Sequence, residues 1–284
     1  MIISIASGKG GTGKTTIATN LATSLDSRVT LLDCDVEEPN SHLFIKPQRE
    51  QLEKAFAFVP EINDQLCTAC GRCVEICQFN ALTLISDNIL VFPELCHSCE
   101  GCLAVCPEHA VEEGRRELGD IKSSRSGQLT FVQGCLRIGE AMSPPLIKRV
   151  RGTIKPGELV IIDAPPGTSC PAITSMKDSD FVLLVTEPTP FGLHDLILAH
   201  EAVKQLELPC ALIINRSDIG DNSVWEYADS NGLPILLEIP FDRQIAEIYS
   251  RGHILVEEVP AWRQTFQSLF RTITSLVDSE KVVQ

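Results

Sequence analysis

Two runs of four cysteines carry the densest chemistry in this sequence: Cys67-x2-Cys70-x2-Cys73-x3-Cys77, and Cys96-x2-Cys99-x2-Cys102-x3-Cys106 followed by Pro107. Thiolates at this spacing can converge on one metal centre, so each run can hold an iron–sulfur cube or contribute to a tetrahedral zinc site. Two duplicated runs fit zinc poorly, because a single zinc ion needs only four ligands. A second constellation opens the chain. Gly8-Lys9-Gly10-Gly11-Thr12-Gly13-Lys14-Thr15, followed by Thr16, fits a phosphate-binding loop, with an apolar strand before it and a helix of Ile17, Ala18 and Leu21 after it. Glycines there let backbone N–H groups turn toward phosphate oxygens, and the helix N-terminus adds a favourable dipole. Lys14 is expected to meet the β and γ phosphates, and the Thr15 hydroxyl to ligate Mg2+.

Carboxylates at strand ends belong with that loop. LLDCD closes the second apolar run with Asp33 and Asp35, and LVIIDAPPGTSC puts Asp163 at the end of another. Both places lie at the carboxyl edge, where α/β sheets gather their ligands. Asp163 is expected to hold Mg2+ through water. One strand-end aspartate alone is as often a turn cap, but three around one phosphate loop make a site.

GKGGTGKTT, with Lys9 ahead of the usual lysine, resembles the deviant Walker A motif of MinD, ParA, Mrp-type and nitrogenase iron-protein ATPases. The resemblance covers nearly all residues outside the cysteine-rich stretch. It implies ATP as the nucleotide and a homodimer formed on ATP binding, in which Lys9 reaches the nucleotide of the other subunit much as an arginine finger does. It further implies that Asp35 orients the attacking water, that Asp33 supports Mg2+, and that Asn215 of ALIINRSD recognises adenine. Lys9, Lys14 and Asp35 are then the catalytic set.

The cysteine runs resemble those of bacterial two-cluster ferredoxins, in which the fourth cysteine of each run serves the other cluster. That implies one [4Fe–4S] cluster on Cys67, Cys70, Cys73 and Cys106, and a second on Cys77, Cys96, Cys99 and Cys102. Gln78 departs from the pattern where Pro107 keeps it, which touches turn rigidity and not ligation. Taken whole, the chain resembles MinD-superfamily ATPases that carry an internal ferredoxin domain. Of the remaining cysteines, Cys34 and Cys210 lie in apolar strands as small hydrophobes. Cys170 follows Asp163 by seven residues and Cys135 precedes it by 28. These offsets resemble those of the cluster ligands in the nitrogenase iron protein and imply a third cluster bridging two subunits at the dimer interface. Free thiols near a nucleotide switch are the alternative. His97 and His109 read as surface residues.

Strands and helices in alternation must position these groups. Apolar runs at Ile2–Ala6, Val29–Cys34, Leu129–Val132, Leu159–Asp163, Phe181–Thr186, Ala211–Asn215 and Ile235–Ile239 alternate with helical stretches such as Leu193–Leu206 and Ile245–Arg251. The pattern predicts an α/β P-loop fold, a mainly parallel sheet covered by helices on both faces. The two similar halves CTACGRCVEICQFNAL and CHSCEGCLAVCPEHAV flank LTLISDNILVF, which reads as a β-hairpin turning at Ser86, Asp87 and Asn88. This internal repeat predicts a small α+β, ferredoxin-like insert at residues 61–114, splitting the ATPase domain into residues 1–60 and 115–284.

Composition bounds the rest. The chain has 284 residues, 44% hydrophobic, with mean hydropathy +0.09, enough for a sizeable core. MIISIAS runs straight into the glycine loop and reads as a first strand, not a signal peptide, and no apolar run approaches a bilayer span. A cytoplasmic location is expected, where crowded cysteines mean metal ligation. Of the net charge of −14, −8 falls between Glu61 and Gly114, from nine acidic residues against Arg72. That balance argues against nucleic acid and suits a redox or apo-acceptor protein with a basic docking surface. In PAWRQTFQSLFRTITSLV, Trp262, Phe266, Leu269, Phe270, Ile273, Leu276 and Val277 share one stripe. With only Arg263 and Arg271 on its polar face, this helix is expected to pack on the sheet and not on a membrane. The leading functional expectation is a dimeric ATPase that couples nucleotide state to electron transfer through two [4Fe–4S] clusters. The alternative is a cluster assembly, carrier or metallocofactor-maturation ATPase. A segregation or division-positioning ATPase, and a ferredoxin on a nucleotide fold without activity, rank below them.

Overall fold

A computed structural model describes residues 1–283, with side chains through residue 279. Along the chain run β1 (Ile2–Ala6), α1 (Lys14–Ser24), β2 (Val29–Asp33), α2 (His42–Ile45), β3 (Gln51–Ile62), α3 (Arg72–Ile76), β4 (Leu82–Ile85) and β5 (Asn88–Val91). Then come α4 (Gly101–Val105), β6 (Val111–Ser126), β7 (Leu129–Leu136), α5 (Pro144–Arg151), β8 (Val160–Asp163), α6 (Cys170–Met176), β9 (Phe181–Thr186) and α7 (Pro190–Gln205). The chain closes with β10 (Cys210–Asn215), α8 (Ser223–Ser230), β11 (Ile235–Ile239), α9 (Arg243–Ser250), α10 (Leu255–Glu258) and α11 (Pro260–Val283). Internal contacts divide it into two units. The first comprises Met1–Leu52, Ile121–Cys135 and the chain from Ile147 onward; the second comprises Glu53–Asp120 and Leu136–Leu146.

In the first unit the strands lie in the order β11-β10-β9-β1-β8-β2-β7, every pair parallel. Alternate side chains serve opposite faces, as the pleat requires. Ile3, Ile5, Leu31, Ile161, Leu183 and Ile213 pack on one face with Ile17 and Leu21 of α1. Val182, Leu184, Leu212 and Ile214 pack on the other with Leu196, Ala199 and Val203 of α7 and Val224 and Ala228 of α8. Fully apolar strands therefore reflect burial from both sides, and the expected doubly covered sheet is what forms. The α11 stripe joins the first face: Phe266, Leu269, Ile273 and Val277 are buried there, with Trp262, Phe270 and Leu276 partly covered. Among the described residues, no helix is long and apolar enough to cross a membrane.

The second unit is built differently. β3 and β6 are neighbours, and β4 and β5 form the expected hairpin, Leu82 opposite Val91, turning at Ser86 in the left-handed region (φ 54°) and Asp87. The short helices α3 and α4 each begin after a residue with positive φ, Gly71 (75°) and Glu100 (60°). This unit reaches beyond the 61–114 stretch that composition singles out. β3 and β6 are the cause: QLEKAFAFVPEI and VEEGRRELGDIKSSRS carry charge where a strand pattern would show alternating apolar residues. In β6 the inward positions include Gly114, Arg116 and Leu118, between exposed Glu113 and Arg115, so an arginine occupies a core-facing place and hides the period.

Candidate functional site

The phosphate loop joins β1 to α1 as its spacing predicts. Gly11 (φ 78°) and Gly13 (φ 100°) adopt left-handed backbone that a side chain would strain. A Cβ on Gly13 would also stand 2.6 Å from Asn215 Nδ2. Ser7 Oγ donates to the Lys9 carbonyl at 2.5 Å, and Ile17 N–H donates to the Gly13 carbonyl at 2.9 Å, so the loop is braced at both ends. An open cavity of about 420 Å3 borders Gly10, Gly11, Gly13, Lys14, Thr15 and Thr16 on one side, with Asp35, Asn215, Phe241 and Tyr249 farther round. Both its size and its mixed apolar and polar lining suit a nucleotide.

Parallel pairing sets Asp33 directly opposite Asp163 on β2 and β8, both buried at the carboxyl ends. Burial, and then the charge of Asp163, push the Asp33 carboxyl well above its usual range. Burial likewise raises Asp163, against hydrogen bonds from Thr15 and Ser41 and the charge of Lys14. Asp35, less deeply set, is pushed up to about 6 by burial and then by Asp163. Burial lowers the Lys14 ammonium, opposed by Asp163 and Asp35. Three carboxylates gathered this closely call for more positive charge than Lys14 supplies. Asp163 Oδ1 is buried without a hydrogen-bond partner among the described residues. A hard divalent cation fits that donor set, with Thr15, Asp33 and Asp163 as the residues that would hold it, directly or through water.

Ser41 is a site residue that the sequence reading missed. Its N–H donates to Asp33 Oδ2 at 3.0 Å and its hydroxyl to Asp163 Oδ2 at 3.1 Å, so one residue bridges the two carboxylates. No motif marks it; a serine in a polar loop carries no signal of its own. Lys9 does not face the cavity. Its ammonium lies 3.6 Å from Glu187 Oε2, while Glu187 Oε1 accepts from Arg216 Nη1 at 2.7 Å. Asn215 borders the cavity but its side chain is engaged: Nδ2 donates to the Thr12 carbonyl at 2.9 Å and Oδ1 accepts from Arg216 N–H at 3.1 Å. It braces the phosphate loop as well as facing the nucleotide space.

In the second unit the eight cysteines fall into two sets. Cys67, Cys70, Cys73 and Cys106 line one small cavity; Cys77, Cys96, Cys99 and Cys102 line another. Each set takes three residues from one run and one from the other. Backbone N–H groups already point at sulfur: Ala110 to Cys106 at 3.2 Å, Ala81 to Cys77 at 3.3 Å, and Ser98 to Cys96 at 3.4 Å. Burial raises the Cys73 and Cys96 thiols and pushes Cys102 up to about 11, so their charged forms need a compensating cation. Among the described residues, no three His, Cys, Asp or Glu side chains are grouped to hold a single metal ion. Four cysteines lining one cavity, with N–H groups on some of the sulfurs, fit a four-iron cube. His97 stacks on Phe79 with ring centroids 3.6 Å apart, and His109 is exposed.

The other cysteines lie in the first unit. Cys34 is fully buried, and burial pushes its thiol up, as befits a core residue. Cys210 is half-buried at the start of β10. Cys135 is half-buried on β7 and Cys170 is exposed as the first residue of α6.

Comparison with known proteins agrees with the nucleotide geometry. A family model described as the CobQ/CobB/MinD/ParA nucleotide binding domain matches residues 3–256. An uncharacterised protein of Methanocaldococcus jannaschii is 31% identical over 98% of this chain and 98% of its own length. An iron–sulfur cluster carrier protein of Pyrococcus abyssi is 24% identical, over 91% of this chain and 81% of its own. Among solved structures, the septum site-determining protein MinD of Pyrococcus horikoshii, complexed with Mg-ADP, superposes with a TM-score of 0.59. It is 21% identical over 97% of this chain and 96% of its own, a likeness of fold.

Proposed function

The chain belongs to the CobQ/CobB/MinD/ParA nucleotide-binding family, and from that premise we propose that it is an ATP-hydrolysing iron–sulfur protein that carries or assembles clusters. One observation carries the reading: two complete four-cysteine cradles share a polypeptide with a phosphate loop and its aspartates. The relatives named as cluster carriers or as a cluster assembly factor support it over a purely redox role.

In this reading Lys14 and the loop N–H groups bind the phosphates, and Asp35 orients water against the γ phosphate once ionised. A bound Mg2+ supplies charge neutralisation for the transferred phosphoryl group. Lys9 acts across a homodimer, so hydrolysis waits on pairing of two nucleotide-loaded chains. The acidic second unit suits an apo-acceptor with a basic docking surface, in a reducing, cytoplasmic setting.

The test begins with anaerobic protein. About eight irons and eight sulfides per chain are expected for two cubes, and about ten irons if Cys135 and Cys170 also bridge a shared third cluster. Lys9→Ala should lower hydrolysis by about 10³-fold or more, on the scale of a lost arginine finger, while sparing nucleotide binding. Labelled iron should then move to an apo-acceptor protein, faster with ATP than without. Zinc in place of iron would end the reading.

A second reading, electron transfer through both clusters, is supported by the crossed cysteine sets, which tie the two halves of the unit together and favour resident centres. Iron that never leaves the protein, yet cycles reversibly between oxidation states, would select it over carriage.

A further inference from the structure

The two cradles resemble each other in sequence but differ in their charged surroundings. Arg116, at an inward position of β6, is 7% exposed. Its Nη2 donates to the Cys96 carbonyl at 3.2 Å and its Nη1 to the Glu94 carbonyl at 3.5 Å. Nη1 also pairs with Glu140 Oε1 at 3.2 Å, and Arg137 Nη2 lies 3.7 Å from the other Glu140 oxygen. Met142 N–H donates to Glu140 at 3.1 Å. Within this buried pair the positive end, Arg116, is the one in contact with the Cys96 segment. Arg116 Nε and Glu140 Oε2 are each buried without a hydrogen-bond partner among the described residues.

Among the described residues the buried cations are Lys14 and Arg116, so the Cys67, Cys70, Cys73 and Cys106 set has no counterpart. Its neighbouring cation, Arg72, is exposed at the start of α3 and screened by water. Exposed acids balance between the two cavities, Glu108 at one and Glu100 at the other. Backbone N–H groups serve sulfurs in both sets, at Cys106 and Cys73 in one and at Cys77, Cys96 and Cys102 in the other, so the sharper difference is the guanidinium.

We propose that the Arg116–Glu140–Arg137 group makes the two centres unequal, so that the one on Cys77, Cys96, Cys99 and Cys102 takes an electron first. The inference rests on reading the eight cysteines as two [4Fe–4S] sites. Reduction adds one electron from an external one-electron donor, which is oxidised by one, and breaks no bond. The added negative charge is favoured by a fixed positive charge in a low-dielectric setting and by N–H donors on the sulfurs. Arg116 is thus a positioning and tuning residue and not a ligand.

The test is a stepwise dithionite reduction of anaerobic holoprotein, followed by electron paramagnetic resonance with iron assayed in parallel. The wild type should show two separable one-electron steps. Arg116→Met should lower the first by at least a tenfold change in the reduced-to-oxidised ratio at fixed potential, about 59 mV, leaving the second in place. Arg116→Lys should restore most of the difference. Glu140→Gln, nearly isosteric, should move the same step the other way, and it decides the matter if Arg116→Met takes up no iron. Cys99→Ser should alter the spectrum of the step that moves. Both steps shifting together, or neither shifting with about eight irons retained, would overturn the proposal. A wild type without iron would instead overturn the cluster reading beneath it.

Discussion

The nucleotide unit and the cysteine unit solve the problem of a functional interior in opposite ways. The first has a large apolar core and places its charged groups at one edge of it. Among the described residues, twenty-three buried ones form the cluster on one face of its sheet alone. The second mixes its chemistry into its core: of the five residues buried in one of its clusters, Cys73 and Cys102 are two, with Cys67, Cys77 and Cys106 packed around them. Thus the nucleotide site is an addition at the edge of an apolar core, whereas Cys73, Cys96 and Cys102 are part of the buried interior of theirs. A unit of this size, Glu53–Asp120 with Leu136–Leu146, has a modest core, to which a metal bound among its cysteines would add folding energy.

Removing iron is the harshest way to examine that contrast. Chelation under denaturant-free conditions should open Glu53–Asp120 to proteolysis while the rest keeps its fold and its nucleotide affinity. Loss of both together would show that the units are not independent. Next in size, Ile273→Ala, a fully buried α11 residue, should destabilise the nucleotide unit by about 2–5 kcal/mol. The cluster spectrum should stay unchanged. Lys14→Ala should weaken nucleotide binding by about 10–100-fold, the scale of a lost charged hydrogen bond, read by titration with a fluorescent ATP analogue.

Asp35 gives a finer test. Its carboxyl is raised by burial and by Asp163 to about 6 in the folded chain, above the ordinary 3.8. The folded state therefore holds the proton more tightly than the unfolded one, and stability from this group is present below pH ~4 and lost as pH rises through ~6. The thermal midpoint of the nucleotide-free protein should fall over that window, and less so in Asp35→Asn. Smallest of all, Arg243→Ala removes an exposed i,i+4 pair with Glu247 and should change stability by less than about 0.5 kcal/mol.

What could be read from the sequence divides along the same line. Parallel strands buried on both faces are written as apolar runs, so β1, β2, β8, β9, β10 and β11 stand out to within a residue or two. Phosphate loops and cysteine spacings are legible because their chemistry needs fixed offsets. β3 and β6 were not, because exposed charges fill alternate positions and Arg116 fills a buried one. Ser41 and Glu187 escaped for another reason. Each acts through a partner distant in the chain, Asp163 and Lys9 respectively, and no local pattern records a meeting 122 or more residues away.

The arrangement around Glu187 bears on how freely the Lys9 ammonium can leave its place. Arg216 grips that carboxylate at 2.7 Å, whereas Lys9 only leans on it at 3.6 Å, with its side chain 31% exposed. Departure of the ammonium toward a neighbour would leave no stranded negative charge behind. Under the proposed trans role, Lys9 would rest on a carboxylate that Arg216 already holds, and releasing it would ask for little more than a change of rotamer.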